Sequence, residues 1–379
     1  MGVPTFQDDL NAVKNHTDIH LLSDGKSREV AVAPLLQGRV LTSTLGGPEG
    51  LSHGWVNREH IALGKILSHF NPYGGEDRFW LGPEGGQYGL YFAPGVPFDL
   101  EHSYVPTPFD REPFEVAGKS PTSIRLRKNT SFKNYSGFEF FAGVDREIRL
   151  IGKEEVEFDQ EGLAWVAFES VNTLTNRGKS PWQTETGLLS IWILGMFQPS
   201  PHSTVIIPFL DGPEGSLGPR VNDSYFGKVS GDRLKVGSGV LFFKGDGQYR
   251  SKIGVSPLRA KPVLGAWDAQ NEILTLVKYS LPQPAGKYVN SMWEIQADPY
   301  GGDVVNSYND GPPAPGVKPE GPFFELETSS PAAALSPGQS VTHRHQTIHL
   351  KGERKLLDRV AQTWLNCSLA EVEGAFSVG

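Results

Sequence analysis

Cysteine is nearly absent from the 379 residues. Cys367 stands alone, so an intrachain disulfide and any paired-thiol metal or redox motif are excluded. No run of 18 apolar residues occurs, and no helical membrane span is expected. Basic blocks are missing and the net charge is -8, which argues against a nucleic-acid surface. Neither a G-x-G-x-x-G nor a Walker pattern is present, so phosphate cradling is not indicated and no cofactor is expected. The G-x-S-x-G elbow of serine hydrolases is lacking as well. Repeats, low-complexity tracts and Ser- or Pro-rich linkers are not evident, so one domain is expected over residues 1–379. The first residues are polar, without a charged-then-apolar leader. The expectation is a cytoplasmic protein, or a periplasmic one from which a signal has been removed.

Glycine (44), proline (29) and aromatics (11%, with eight Trp) are plentiful, which points to many short strands and tight turns. Alternation predicts strands at Val30–Pro34, Gly38–Thr44, Ser123–Arg127, Phe138–Val144, Glu147–Leu150, Trp165–Asn176, Gly187–Phe197, Val205–Phe209, Ile273–Tyr279 and Tyr288–Gln296. Val240–Lys244 and Tyr249–Val255 read as a hairpin across Gly245-Asp246-Gly247. Lys252 in its second arm is an interior cation or, more commonly, a solvated edge lysine. Helices are expected near each end, at Thr5–Lys14 and Arg354–Leu365, where apolar residues recur at helical spacing. The spacing is antiparallel rather than βαβ, so the fold class is all-β.

The densest titratable cluster lies between Gly321 and Leu350. Phe324 to Thr328 alternates, so Glu325 and Glu327 share one face while Phe324, Leu326 and Thr328 share the other. Ser336-Pro337-Gly338-Gln339 signals a turn. Beyond it, His343, His345, Thr347 and His349 recur at period two and point one way. The stretch reads as a hairpin carrying two carboxylates and three imidazoles, a solvated edge hairpin being the plainer reading. Earlier, Glu76, Arg78 and Glu84 bracket Trp80 in a glycine-rich block. That mixture suits a sugar, with charged groups for hydroxyls and an indole for the apolar ring face. An Arg–Glu pair pinning a turn beneath a core Trp explains it equally well.

Leu326-Glu327-Thr328, then Leu335-x-Pro337-Gly338-Gln339 and His343, resembles the C-terminal signature of the galactose mutarotase-like (aldose 1-epimerase-like) superfamily. The wider pattern of GGEDRFWLGPEGG, SIWILGMF, YFGKV and VNSYNDGPP is similar to a family of uncharacterised bacterial proteins of that fold. The resemblance implies a large antiparallel β-sandwich, the supersandwich, with minor N- and C-terminal helices. It also implies a mono- or oligosaccharide as the ligand. A carboxylate, here Glu327, would deprotonate the anomeric hydroxyl while an acid protonates the ring oxygen. The family carries that acid as a His after Thr-Asn, but this chain has Thr175-Asn176-Arg177, and arginine releases no proton near neutral pH. His53, in a His-Gly pair like one early in the family, becomes the candidate acid. Arg78, Trp80 and Asp310 are expected to hold the sugar, with Glu76, Arg177, Trp293, Glu325, His343 and His345 as further substrate contacts.

Two other readings stay open. A noncatalytic glycan-binding protein would explain the missing histidine. A metal-assisted lyase or glycoside hydrolase would use His343 and His345 with Glu327, or pair Glu327 with Glu76, Asp77, Glu84 or Glu294. No metal is expected, because His343 to His349 would span about 20 Å along a strand, too far for one tetrahedral centre.

Overall fold

A computed structural model describes residues 3–376. Two antiparallel sheets face each other, and a small third sheet stands beside them. The larger has ten strands in the order Leu234–Val236, Val240–Lys244, Ser203–Pro208, Val263–Asp268, Ile273–Tyr279, Ser340–Gly352, Leu163–Asn176, Glu139–Leu150, Ser123–Lys133 and Glu115–Lys119. The other has five, in the order Ser251–Val255, Val305–Asn309, Phe324–Ser329, Ser190–Phe197 and Arg78–Gly82. The third joins His20–Ser23, Glu29–Ala33 and Arg39–Thr44. The all-β sandwich expected from alternation is present.

Apolar side chains from both sheets meet between them. Phe79, Leu81, Ile191 and Ile193 of the five-stranded sheet pack in one cluster with Ile124, Leu126, Val144 and Ile148 of the ten-stranded one. Ile253, Val305, Phe324 and Leu326 do the same with Val205, Ile207, Leu264 and Val277. The opposite face of the large sheet is covered by the Arg354–Leu365 helix, whose Leu357, Val360, Ala361 and Leu365 pack on Trp267, Leu274, Ile348 and Leu350. Both expected helices form. The first runs Phe6–Val13 and is opened by a capping box, in which the Thr5 hydroxyl accepts from the Asp8 N–H and the Asp8 carboxylate accepts from the Thr5 N–H.

Three sequence expectations are corrected. Phe324–Ser329 and Ser340–Gly352 are not a hairpin, because they lie in opposite sheets. Val240–Lys244 and Ser251–Val255 are likewise split between the sheets, so Gly245-Asp246-Gly247 begins a crossover rather than a tight turn. Tyr288–Gln296 forms no strand. It is irregular chain, with the Gln296 amide bonded to the carbonyls of Asn290 and Met292.

Candidate functional site

Side-chain parity divides the five-stranded sheet into two chemically distinct faces. Registers pair Glu327 with Leu194 and Asn306, Glu325 with Met196, Arg78 with Leu194, Trp80 with Trp192, and Lys252 with Tyr308. All of these residues therefore point away from the sandwich interior. Arg78, Trp80, Trp192, Lys252 and Glu325 line a cavity of about 220 Å³ together with Trp293, and Glu327 lies beneath this floor, outside the lining but bonded to Lys252 and Trp192. Glycine brings the Arg78 strand into place. Gly74 and Gly75 take φ of +86° and +117°, and a Cβ on Gly74 would sit 2.1 Å from the Trp55 carbonyl oxygen.

The floor is ordered by charge. Lys252 Nζ lies 3.0 Å from Glu327 Oε2, and the Trp192 indole N–H donates to the same oxygen at 2.9 Å. Glu327 is 0% and Lys252 8% exposed, so the pair is shielded from water. Burial lowers the tendency of Lys252 to be charged, but Glu327, Glu84 and Glu325 outweigh it and raise its pKa. Arg78 forms an ion pair with Glu325 and lies 4.4 Å from the Trp80 ring centroid. Burial pushes the Glu325 carboxyl up, Arg78 pulls it down, and Glu327 pushes it further up. Among the described residues, Glu327 Oε1, Arg78 Nε and the Trp80 indole N–H are buried without a hydrogen-bond partner. Such atoms are costly unless a ligand or water meets them.

The histidine face is different. His343 and His345 are fully buried between the sheets, where Thr328 Oγ1 lies 2.9 Å from His343 Nε2 and 2.8 Å from His345 Nδ1. His349 is held by Thr275 and by Glu76, each at 2.9 Å. Burial depresses His343 and His349 to about 3 and His345 to about 4. These imidazoles are neutral core groups, and Thr328, not Glu327, faces them. Neither His343 nor His345, both expected at the substrate, lines the cavity. Among the described residues, no group of three or more His, Cys, Asp or Glu is placed to hold a metal ion.

The other expected site residues divide likewise. Trp293 lines the cavity, and Asp310 stands behind it, accepting from the Tyr308 hydroxyl at 3.2 Å and from the Gly321 N–H at 2.8 Å. Glu76 instead accepts hydrogen bonds from the Ser43 backbone and hydroxyl, and burial raises its carboxyl to about 7. His53 stacks on His349 with ring centroids 4.1 Å apart, beside a separate cavity of about 40 Å³. It does not line the cleft, because Gly54 bridges to Phe197 and carries His53 toward the inner network. Arg177 lies on the surface beside Phe141 and Trp182, away from the cavity. Of the carboxylates weighed as partners for Glu327, Asp77 pairs with Arg146 in the core, and only Glu84 lines the cavity.

Sequence reasoning passed over Trp192, Arg250, Tyr308 and His69, all of which line the cavity. The first was legible in principle, since Trp192, Leu194 and Met196 share a parity. His69 had no such signal, because it stands on irregular chain. Its ring lies 4.0 Å from that of Tyr104, and its Nδ1 is 2.9 Å from the Ser103 carbonyl oxygen. A carbonyl accepts only, so that nitrogen carries the proton, leaving Nε2 to accept one.

A family model of unknown function, DUF6786, matches residues 4–376. The chain belongs to that family. No curated protein matches it. Among solved structures, a candidate aldose 1-epimerase from Escherichia coli K12 is 13% identical, with 89% of this chain and 100% of that one covered and a TM-score of 0.52. A candidate mutarotase from Salmonella typhimurium is also 13% identical, covering 89% and 92%, at 0.49. A galactose mutarotase-like protein from Lactobacillus casei ATCC 334 is 10% identical, covering 88% and 100%, at 0.47. This DUF6786 member has the galactose mutarotase-like fold, as its strand motifs implied.

Proposed function

We propose that the cleft on the outer face of the five-stranded sheet binds a sugar, with Glu327 as the carboxylate that engages a hydroxyl. One observation carries this reading. Three indoles (Trp80, Trp192 and Trp293) surround a small cavity, beside a carboxylate with one oxygen fixed and the other unpartnered. Indoles suit the apolar faces of a pyranose, and a few fixed polar groups set its orientation. The Lys252 ammonium and the Trp192 N–H hold one Glu327 oxygen, which orients the other as a proton acceptor.

In the epimerase form of this reading, Glu327 takes the anomeric hydroxyl proton. His69 replaces His53 as the acid: with Nδ1–H held by the Ser103 carbonyl, Nε2 first takes up a proton, and the imidazolium gives that proton to the ring oxygen and returns to the neutral Nδ1–H ring. The second reading is a noncatalytic sugar-binding protein, favoured by the removal of His53 and Arg177 from the cleft. Calorimetric titration with glucose, galactose and mannose, with NMR of anomer exchange, tests both. Binding of one of these sugars by the wild type, lost at least tenfold in Glu327→Gln, supports the site. Exchange that collapses in His69→Gln with binding kept within threefold supports catalysis. Binding without accelerated exchange supports the second reading, and no binding to any of the three rejects the sugar cleft.

A further inference from the structure

The cavity does not end at the sugar-sized floor. It adjoins a recess of about 550 Å³, which shares Glu84, Leu100, Phe226, Arg250, Lys252 and Trp293 with it. We propose that this recess is a second saccharide subsite, so that the ligand is a neutral oligosaccharide of at least two units rather than a free monosaccharide. The inference rests on the sugar-cleft reading above and extends it.

Size and chemistry both point this way. The inner cavity, about 220 Å³, is matched to one ring, whereas the recess beside it is more than twice as large. The recess has an aromatic wall of its own. Arg250 lies 3.8 Å from the Phe226 ring centroid, holding that ring as a platform whose side chain is 38% exposed. Trp293 stands at the junction of the two spaces, braced by Phe92 with ring centroids 5.1 Å apart. Asp99, Glu101 and Glu84 supply carboxylate acceptors for hydroxyls. Three carboxylates face two cations there, Lys252 is already paired with Glu327, and Asp99 keeps one oxygen on His102, which leaves Glu84 and Glu101 against Arg250. That balance disfavours a uronate or a phosphosugar and suits an uncharged ring. A lone monosaccharide would leave the exposed aromatic platform and its acceptors unused.

Titration of the full chain compares glucose, galactose and mannose with cellobiose, lactose, maltose and mannobiose, and with cellobiouronic acid as the charged arm. The expected result is at least one neutral disaccharide binding tenfold or more tighter than its component sugars. That advantage shrinks to threefold or less in the Asp99→Ala/Glu101→Ala double variant, whose residues line the recess alone and whose monosaccharide affinity stays within twofold, and it shrinks likewise in Phe226→Ala when measured against that variant's own monosaccharide affinity. Retained melting temperatures show that the variants fold. Disaccharides binding no tighter than their component sugars overturn the second subsite and leave the sugar cleft standing, as does an advantage that survives both variants. A uronate binding tightest overturns the neutral class. No binding by any sugar overturns both.

Discussion

The strand Phe324–Ser329 presents two faces that differ in kind. Glu325 and Glu327 look outward, where they meet Arg78, Lys252 and Trp192 and leave polar atoms unpartnered. Thr328, one residue on, looks inward and joins two imidazoles through a single hydroxyl. Both faces are buried and both are rich in titratable groups. Both leave polar atoms unpartnered, His345 Nε2 and Thr347 Oγ1 among the inner ones, but the inner imidazoles are neutral and closed off between the sheets, whereas the outer face is charged and stands beside open volume. Titratable density alone therefore does not separate the two faces; open volume beside unpartnered polar atoms is what distinguishes the outer one.

Breaking the outer face should cost the most stability. Lys252→Met leaves Glu327 as a buried carboxylate without its cation, and a loss of about 3–5 kcal/mol is expected in denaturant unfolding. The Lys252→Met/Glu327→Gln double variant should recover a large part of that loss. Equal loss in single and double variants would show that the pair is not coupled. Breaking the inner face should cost less. Thr328→Val removes the only side-chain hydrogen-bond partner of His345 among the described residues, and about 1–3 kcal/mol is expected from the stranded nitrogens. Sugar affinity should be unchanged, because Thr328 does not face the cleft.

The inner face also sets a pH dependence. His343 has a folded pKa of about 3, below its ordinary value of 6.5. The unfolded chain therefore binds a proton in that interval and the folded chain does not. The stability of the neutral ring is fully present above pH 6.5 and is lost as pH falls toward 3. Between pH 6 and 4, His343→Gln should flatten the decline in unfolding free energy by about 1.4 kcal/mol per pH unit. An unchanged slope would mean that His343 is not held neutral. The smallest effect is expected from Arg177→Ala, which lies outside both networks. Stability within about 0.5 kcal/mol of wild type and unchanged sugar titration are predicted; a clear loss of binding would restore this position to the site.

Much of the fold was legible because alternation survives in single strands. Ile273–Tyr279 and Arg354–Leu365 fall where periodicity placed them. Strand partners were not legible, because a turn such as Gly245-Asp246-Gly247 reads the same whether the chain folds back or crosses to the other sheet. The parity of Glu325 and Glu327 was correct, as was that of the histidines. What parity lacks is which side is covered, and the structure places the imidazoles on the covered side, between the sheets. Lys252 shows the same limit in reverse. It stands on an edge strand, where solvation is the rule, yet Glu327 on a strand two places away draws it into the floor. Arg78 and Trp80 line one cavity because residues at period two share a face of the strand.

A crystal soaked with the sugar that binds most tightly decides between the faces most directly. The predicted result is a pyranose ring stacked on Trp80, Trp192 or Trp293, with a hydroxyl within hydrogen-bond distance of Glu327 Oε1. Sugar density beside His53, His343 or Arg177, with the cleft empty, would contradict the assignment of the outer face as the site.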